Sequence, residues 1–282
     1  MRILVTGGAG RLGKKVVELI SGKGHSVIAF DLPDVNWGPL LQMENVEIHK
    51  GDITNQDNLN IALRGVDGVI HLAAILPPMS ERDRELTMRV NMEGTRNLLR
   101  ASSHDVKFVL ASSISVYGVT AEENPPVKEE HSLAAHNNYS ESKIQSERLV
   151  KESGKRFMIL RIAPISVIDL VELPEVIPYR HDQRVEFILD EDAATAIANS
   201  IGYVKDEIYN IAGGRTWQMK GGKYIQKFYN ALGVEVEANF SQKYTPLDWY
   251  DTGKSKELDY QKTSFMDFEK KLESLGEEMG LR

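Results

Sequence analysis

The sequence predicts an α/β fold in which helices cover both faces of a doubly wound, mostly parallel β-sheet. Three observations support this fold class. Short apolar runs alternate with amphipathic stretches over roughly the first 165 residues. Several of these runs end at Gly, Asp, Ser or His, as parallel strands do when functional residues lie at their carboxyl ends. A glycine-rich segment also separates the first apolar run from the first amphipathic stretch.

Strands and helices are predicted in regular alternation in the first part of the chain. Strands are expected at residues 3–5, 27–30, 46–48, 68–70, 108–110 and 157–160. Helices are expected at residues 12–20, from about 80 to 103, and at 138–152. Gly94 falls in the middle of the second helix, where glycine costs about 1 kcal/mol relative to alanine. Close backbone packing is therefore expected at Gly94.

The pattern is less regular beyond Arg161. It predicts a strand at 185–189, a helix at 192–201, a strand at 208–211 and a terminal amphipathic helix at 265–279. Neither an internal repeat nor a flexible linker separates these segments from the rest. Residues 1–165 are thus expected to form the sheet domain, and residues 166–282 a small C-terminal lobe interleaved with the last sheet elements.

Composition narrows the class of function. The chain has 282 residues, a net charge of −7 and no cysteine, which excludes disulfides and thiolate catalysis. Its basic clusters are short and interrupted by acidic residues, so nucleic-acid binding is not expected. A first strand beginning at Arg2 leaves no room for a leader peptide, and no apolar run approaches the ~20 residues that span a bilayer. We therefore expect a cytoplasmic protein without a membrane partner.

A glycine-rich loop and an acidic residue predict a dinucleotide site. Gly7, Gly10 and Gly13 lie between the first strand and the first helix, where small residues let backbone N–H groups approach a pyrophosphate. Asp31 ends the second strand, where a carboxylate can accept hydrogen bonds from both hydroxyls of a ribose. Because no arginine follows Asp31 closely, the spacing favours NAD over NADP. A capping or loop role for Asp31 remains the alternative.

Three further residues predict acid–base chemistry. Tyr139 and Lys143 are four residues apart and share one face of a predicted helix. A nearby ammonium and a cationic nicotinamide would stabilise the tyrosine phenolate, whose unperturbed pKa is near 10. Ser113 ends the preceding strand, where its hydroxyl can bond a substrate oxygen while Tyr139 moves the proton.

Together these motifs resemble the extended short-chain dehydrogenase/reductases of the NAD-dependent epimerase/dehydratase family. The matching segments are residues 6–13, Asp31, 51–53, 71–74, 90–95, 112–118, 139–143 and 160–164, with looser matches at 187–193 and 209–213. The resemblance implies a Rossmann-type sheet domain that binds NAD at residues 1–165, a substrate-binding lobe at 166–282, and a homodimer. It places the catalytic roles on Ser113, Tyr139 and Lys143.

The resemblance also implies the residues that contact the cofactor. It places Asp52 and Ile53 at the adenine, Ala73 and Ala74 along the diphosphate channel, and Pro164 beside the nicotinamide. The complete expected set is Gly7, Gly10, Arg11, Leu12, Gly13, Asp31, Asp52, Ile53, Leu72, Ala73, Ala74, Asn91, Ala111, Ser112, Tyr139, Lys143 and Pro164. Asn91 has a capping or packing role as its alternative. His71 is not assigned to catalysis, and no ligand spacing indicates a metal.

Several reactions remain open within the family. Sugar-nucleotide dehydratases carry an Asp-Glu pair where this chain has Ile114 and Ser115, which disfavours dehydration. The resemblance favours an epimerase of a sugar or nucleotide-sugar. The alternative is a dehydrogenase of a small sugar, sugar acid or amino alcohol, because the segment after Pro164 is short. That segment, with Glu172, Pro174, Glu175 and Pro178, is a poor diphosphate binder, although Arg180 and Arg184 would help. A non-catalytic NAD-sensing regulator is the third reading.

Overall fold

The computed structural model describes residues 1–169 and 174–281. Seven parallel strands form the central sheet. They are β1 Arg2–Thr6, β2 Ser26–Asp31, β3 Val46–Lys50, β4 Gly68–His71, β5 Lys107–Ser113, β6 Phe157–Ile162 and β10 Glu207–Ile211. Their order across the sheet is β10-β6-β5-β4-β1-β2-β3. The predicted sheet strands are confirmed, each within a few residues. The doubly wound α/β class predicted from the alternation is therefore the observed one, and the sheet is of the Rossmann type that the resemblance implies.

Four short strands lie outside the central sheet. They are β7 Ile165–Ser166, β8 Arg184–Val185, β9 Ile188–Leu189 and β11 Met219–Lys220. β7 pairs in parallel with β9, and β8 pairs antiparallel with β11. The single strand predicted at 185–189 is therefore wrong: the chain forms two two-residue strands with different partners. Between them, the buried Glu186 carboxylate accepts hydrogen bonds from the backbone N–H groups of Gly214 and Tyr250.

Nine α-helices surround the strands in the part of the chain that the structure describes. They are α1 Arg11–Gly22, α2 Gln56–Ala62, α3 Met79–Arg82, α4 Arg84–Thr87, α5 Gly94–Ala101, α6 Asn138–Glu152, α7 Asp190–Ser200, α8 Gly221–Leu232 and α9 Phe265–Glu278. None of the helices in residues 1–169 and 174–281 is both long and apolar enough to cross a membrane.

The helices bury their apolar stripes on both faces of the sheet. Val16, Val17 and Ile20 of α1 share one core cluster with the alanines of α7. Leu59 of α2, Leu98 of α5 and Val150 of α6 lie in the cluster on the other face. A third cluster, built around Trp217 and Phe268, joins α8 to α9 in the C-terminal region. Burial on both faces explains why the inner strands β1, β4, β5 and β6 are continuous apolar runs, whereas the edge strand β3 is partly exposed.

The helix predicted from about 80 to 103 is interrupted. Asp83 has extended backbone angles and caps α4, because its side chain accepts a hydrogen bond from the N–H of Leu86. Residues 88–93 then form a π-helical segment that leads into α5. Gly94 packs closely, as expected: a Cβ there would meet Ile53 at 2.5 Å from its Cδ1. The close contact lies within the chain.

Candidate active site

The glycine loop between β1 and α1 leaves no space for a side chain at Gly7 or at Gly13. Gly7 has a φ of +70°, and a Cβ there would lie 2.9 Å from the backbone nitrogen of Ala73. A Cβ on Gly13 would overlap the carbonyl oxygen of Gly7. The backbone at the N-terminus of α1 is therefore open to a ligand, between the carboxyl ends of β1 and β4, where the strand order reverses. This cradle fits the diphosphate of a dinucleotide.

Asp31 is fixed at the end of β2. One carboxylate oxygen accepts from the N–H of Ala9 at 3.1 Å, and the other from the N–H of Leu32 at 2.9 Å. Each oxygen keeps a lone pair for a ribose hydroxyl. Past β3, the Asp52 carboxylate accepts from the N–H of Thr54 at 2.8 Å and lines the same cavity. These residues fit the adenosine end of the cofactor.

One cavity of about 1170 Å³ brings the predicted residues together. Its wall includes Gly7, Gly10, Arg11, Leu12, Gly13, Asp31, Asp52, Ile53, Leu72, Ala73, Ala74, Ala111, Ser112, Ser113, Tyr139, Lys143 and Pro164. The cavity runs from the glycine loop to the end of β5 and the start of α6. A single elongated ligand and a substrate can therefore meet at Ser113.

The catalytic candidates come from β5 and α6. Ser113 is the last residue of β5, and Tyr139 lies in the first turn of α6. Asn137 and Ser140 form a capping box that fixes where this helix begins. The Lys143 ammonium donates to the carbonyl of Ala111 at 2.8 Å and lies 5.6 Å from the Tyr139 ring centroid. The phenol of Tyr139 is hydrogen-bonded to Ser113.

Burial dominates the protonation of this pair. It raises the pKa of Tyr139 to about 12, although the hydrogen bond with Ser113 opposes the shift. It lowers the pKa of Lys143 to about 8, against the attraction of the Glu147 carboxylate. The Lys143 ammonium therefore lies beside Tyr139, as predicted. In the protein alone, however, its attraction does not offset the effect of burial, which raises the pKa of Tyr139. The positive charge of a bound nicotinamide is the remaining source of phenolate stabilisation.

Asn91 lies one layer behind the cavity wall. Its side-chain oxygen accepts from the N–H of Ile75 at 2.7 Å, and its amide donates to the carbonyl of Ile75 at 3.0 Å. Ile75 itself lines the cavity. The buried amide thus shapes the wall through the backbone of Ile75.

His71 is held inside the fold. One ring nitrogen lies 2.7 Å from the Thr6 hydroxyl and the other 3.0 Å from the Thr95 hydroxyl. Burial and the nearby Lys143 lower its pKa to about 3, so the ring is neutral at pH 7. This environment agrees with leaving His71 out of catalysis.

A buried ion pair between Glu147 of α6 and Arg161 of β6 was not predicted from the sequence. Glu147, fully buried on α6, accepts from Arg161 at 2.7 and 3.0 Å and from the Ser112 hydroxyl at 2.6 Å. Glu147 lies four residues after Lys143, and that spacing was the available signal. The pair fixes α6 against β5 and β6, which orients Tyr139 and Lys143.

Arg180 and Arg184, considered above as residues that would help to bind a diphosphate, do not line the cavity. Arg180 pairs with Asp182 at 2.8 Å, and Arg184 pairs with Asp248 at 2.5 Å. Neither is among the described residues that line the cavity. Their charges are neutralised by acids of the same lobe, so a diphosphate would have to displace those acids. Glu172, also considered at this position, lies outside the described residues.

Comparison with known proteins identifies the family. Residues 3–166 match the NAD dependent epimerase/dehydratase family. The chain is 32% identical over 172 residues to 3-beta-hydroxysteroid dehydrogenase of Mycolicibacterium neoaurum, covering 56% of this chain and 45% of the relative. It is 31% identical over 183 residues to D-erythronate dehydrogenase of Cupriavidus necator, covering 59% and 56%. The chain spans about half the length of these curated relatives.

Solved structures share the fold over the whole chain. A UDP-glucose 4-epimerase of Thermotoga maritima superposes with a TM-score of 0.82, covers 100% of both chains and is 21% identical. At that identity the likeness shows the fold alone. The match over residues 3–166 shows more, because it covers over half the chain. The protein belongs to the NAD-dependent epimerase/dehydratase family.

Proposed function

We propose that this enzyme is an NAD-dependent dehydrogenase that oxidises a secondary alcohol of a small, neutral substrate without a nucleotide diphosphate. The cavity wall carries this proposal. Among the described lining residues, the cationic side chains are Lys143, which bonds the Ala111 carbonyl, and Arg11, which pairs with Asp169 at 2.5 Å. A diphosphate or carboxylate substrate needs an available cation or several backbone donors. A neutral substrate needs neither.

The wall near Ser113 is mainly apolar, which also supports a neutral substrate. It includes Ile75, Leu76, Pro77, Leu86, Val90, Ile114, Pro164, Ile165, Val167, Pro178, Tyr179, Pro246 and Leu247. Such a surface favours carbon-rich groups over phosphates. In this proposal residues 1–165 hold the cofactor and the catalytic groups, and residues 166–282 supply much of the substrate-binding lobe.

Three side chains carry the chemistry in this proposal. The Ser113 hydroxyl hydrogen-bonds the substrate oxygen, and Tyr139 accepts the proton that leaves it. The Lys143 ammonium stabilises the phenolate that precedes this transfer. Bound NAD would supply the hydride acceptor. Lys143 is buried and Tyr139 is partly buried, and this low-dielectric surrounding strengthens their electrostatic interaction.

Dehydrogenation is preferred over epimerisation for two reasons. Both curated relatives named above are dehydrogenases. In addition, Arg180 and Arg184, the two cations considered for binding a diphosphate, are paired with Asp182 and Asp248. An epimerase remains the second candidate, because residues 112–118 carry the Ser-Ser-x-x-Val-Tyr-Gly pattern. The two differ in one product: a dehydrogenase releases NADH, whereas an epimerase returns the hydride. Retention of the catalytic residues favours either enzyme over an NAD-sensing regulator.

The test is NADH formation from neutral secondary alcohols, compared between wild type and Tyr139→Phe. The variant should lose activity by about 10²- to 10⁴-fold, because only the proton-transferring hydroxyl is removed. NAD binding, followed by calorimetry, should persist. Tyr203→Phe, at a tyrosine that is 48% exposed, is the matched control and should retain activity. Substantial turnover by Tyr139→Phe would refute the acid–base role of Tyr139. Conversion of the substrate to its epimer without net formation of NADH would favour the epimerase.

A further inference from the structure

The first turn of the catalytic helix α6 is bound by a residue from a distant segment. The first four backbone N–H groups of a helix have no partner within the helical ladder. In α6, the capping box supplies partners for Asn137 and Ser140. Between them, the N–H of Asn138 donates to Glu81 Oε2 at 3.0 Å, and the N–H of Tyr139 donates to Glu81 Oε1 at 3.2 Å. One carboxylate thus binds the backbone of the residue proposed to move the proton.

The Glu81 carboxylate is itself oriented by its neighbours. Glu81 lies in α3, and the hydroxyl of the buried residue Ser80 donates to Glu81 Oε1 at 2.8 Å. The Ser80 carbonyl accepts from the Asn138 side chain at 3.2 Å, which joins the same two segments a second time. A negative charge near a helix N-terminus is also favoured by the helix dipole. These contacts fix Glu81 as an anchor for the start of α6.

The segment that carries Glu81 also forms part of the substrate end of the cavity. Residues 75–77 line the cavity and lead directly into α3. Further along, the Arg84 guanidinium of α4 makes two hydrogen bonds to Glu141 of α6, at 2.6 and 3.1 Å. Residues 75–84 therefore connect the cavity wall to the first turn of the catalytic helix.

We propose that Glu81 is a positioning residue that sets the distance of the Tyr139 hydroxyl from Ser113 and from the substrate oxygen. This inference rests on the acid–base role of Tyr139 in the proposed dehydrogenase. Proton transfer requires heavy atoms about 2.6–3.2 Å apart, and a misplacement of about 1 Å can cost about 100-fold in rate. Because Glu81 binds the backbone of Tyr139, loss of its carboxylate releases the start of the helix and leaves the phenol chemically unchanged.

The first test follows the backbone amides of α6 in the ligand-free protein. In residue-resolved hydrogen exchange, Glu81→Ala should speed exchange at Asn138 and Tyr139 by about 10-fold, because both N–H groups lose their acceptor. Ser140 is an internal reference and should stay protected, because its acceptor belongs to the capping box of the same helix. Unchanged exchange at Asn138 and Tyr139 would overturn the proposal.

The second test separates positioning from stability. Glu81→Ala should lower kcat for NADH formation about 10-fold, counted per NADH-binding site by calorimetry, while its Kd for NADH is unchanged. A purely structural residue would reduce the number of binding sites and leave kcat per site intact. Glu81→Gln should be intermediate, because its amide keeps one acceptor oxygen for the two N–H groups.

Glu85→Ala is the matched control for both tests. It removes an equal charge from an exposed glutamate of α4, four residues after Glu81, and should match wild type in exchange and in kcat per site. An equal loss in Glu85→Ala and Glu81→Ala would show an effect of surface charge and overturn the positioning role of Glu81.

Failure of the proposed function gives a different result. If wild type forms no NADH from neutral secondary alcohols, the dehydrogenase proposal is wrong, and the exchange test alone decides whether Glu81 fixes the backbone of Tyr139. If NADH forms and Glu81→Ala keeps the wild-type kcat per site, the dehydrogenase proposal holds and the positioning role of Glu81 is wrong.

Discussion

The Lys143 ammonium is kept in the active site at a cost in stability. Burial lowers its pKa from 10.5 to about 8, so the folded chain binds fewer protons than the unfolded chain between these two values. The cost, about 3 kcal/mol, is complete below pH 8 and is relieved as the pH rises toward 10.5. A residue that is costly to bury and yet retained indicates a functional requirement for its charge.

Lys143→Met should therefore change the pH dependence of stability. The gain in its free energy of unfolding over wild type should be larger at pH 7 than at pH 10, by about 2–3 kcal/mol, because methionine carries no buried charge. Urea denaturation of both proteins at the two pH values measures this difference. Lys223→Met, at an exposed lysine of α8, should show no such dependence. A constant offset between Lys143→Met and wild type would contradict the shifted pKa.

Asp31 should decide the choice between NAD and NADP. Its carboxylate can accept hydrogen bonds from the ribose hydroxyls of NAD but repels the 2′-phosphate of NADP. NADP should therefore bind more weakly than NAD by ~2–4 kcal/mol, about 30- to 1,000-fold in affinity. Calorimetric titrations of both cofactors into wild type and Asp31→Ala measure the preference. The variant should bind the two with similar affinity. Equal affinities in wild type would show that Asp31 does not discriminate.

At the residue scale, contiguous motifs were predictable and tertiary effects were not. Gly7, Asp31, Ser113 and the Tyr139–Lys143 pair lie on one cavity because each occupies a strand end or one helix face, which the sequence reveals. The raised pKa of Tyr139 depends on burial by distant segments. The partner of Glu147 could not be predicted either, because Glu147 lies on α6 whereas Arg161 lies on strand β6.

Helix α6 depends on its buried ion pair for attachment to the sheet. Glu147→Gln leaves the buried Arg161 without a carboxylate, and the protein should lose about 3–5 kcal/mol in its free energy of unfolding. Urea denaturation measures the loss. Glu152→Gln on the same helix is the control, because its pair with Arg148 is exposed and should contribute at most about 1 kcal/mol. Similar small losses in both variants would show that the buried pair does not anchor α6.

Two helices, α2 and α8, were not predicted from the sequence. α2 is only seven residues long, although Asn55 accepts from the N–H groups of Asp57 and Asn58 as a standard N-cap. α8 begins with Gly221 and Gly222, which lower helix propensity. A Cβ at Gly222 would overlap His181. A packing constraint from a distant residue therefore masks the helical signal.

The substrate end of the cavity is a property of the whole molecule. Ile75 and Leu86 come from the first half of the chain, whereas Pro178, Tyr179 and Leu247 come from the second half. Strand β10 also joins the central sheet from beyond residue 200, so the C-terminal region is integrated with the cofactor-binding part. The sequence indicates the cofactor site because its residues lie in short motifs. It cannot indicate which distant loops meet around the substrate.

The homodimer expected from the family resemblance stays a prediction about the whole molecule. We propose that α5 and α6 form its interface. The two helices pack together on one face of the sheet, and Met92 and Ile144, in the π-helical segment and α6, remain partly exposed. The close packing at Gly94 is not used in this interface, because Ile53 of the same chain occupies the space beside it.

Light scattering at micromolar concentration should give about twice the 31.7 kDa mass of one chain. Arg148→Glu reverses an exposed charge on α6 and should shift the population toward monomer, since the substitution is repeated on both sides of a two-fold interface. Lys223→Glu on α8 changes the net charge equally, away from the proposed interface, and should leave the mass unchanged. A wild-type mass of one chain would exclude the dimer at this concentration. A dimer that both variants weaken equally would place the interface elsewhere.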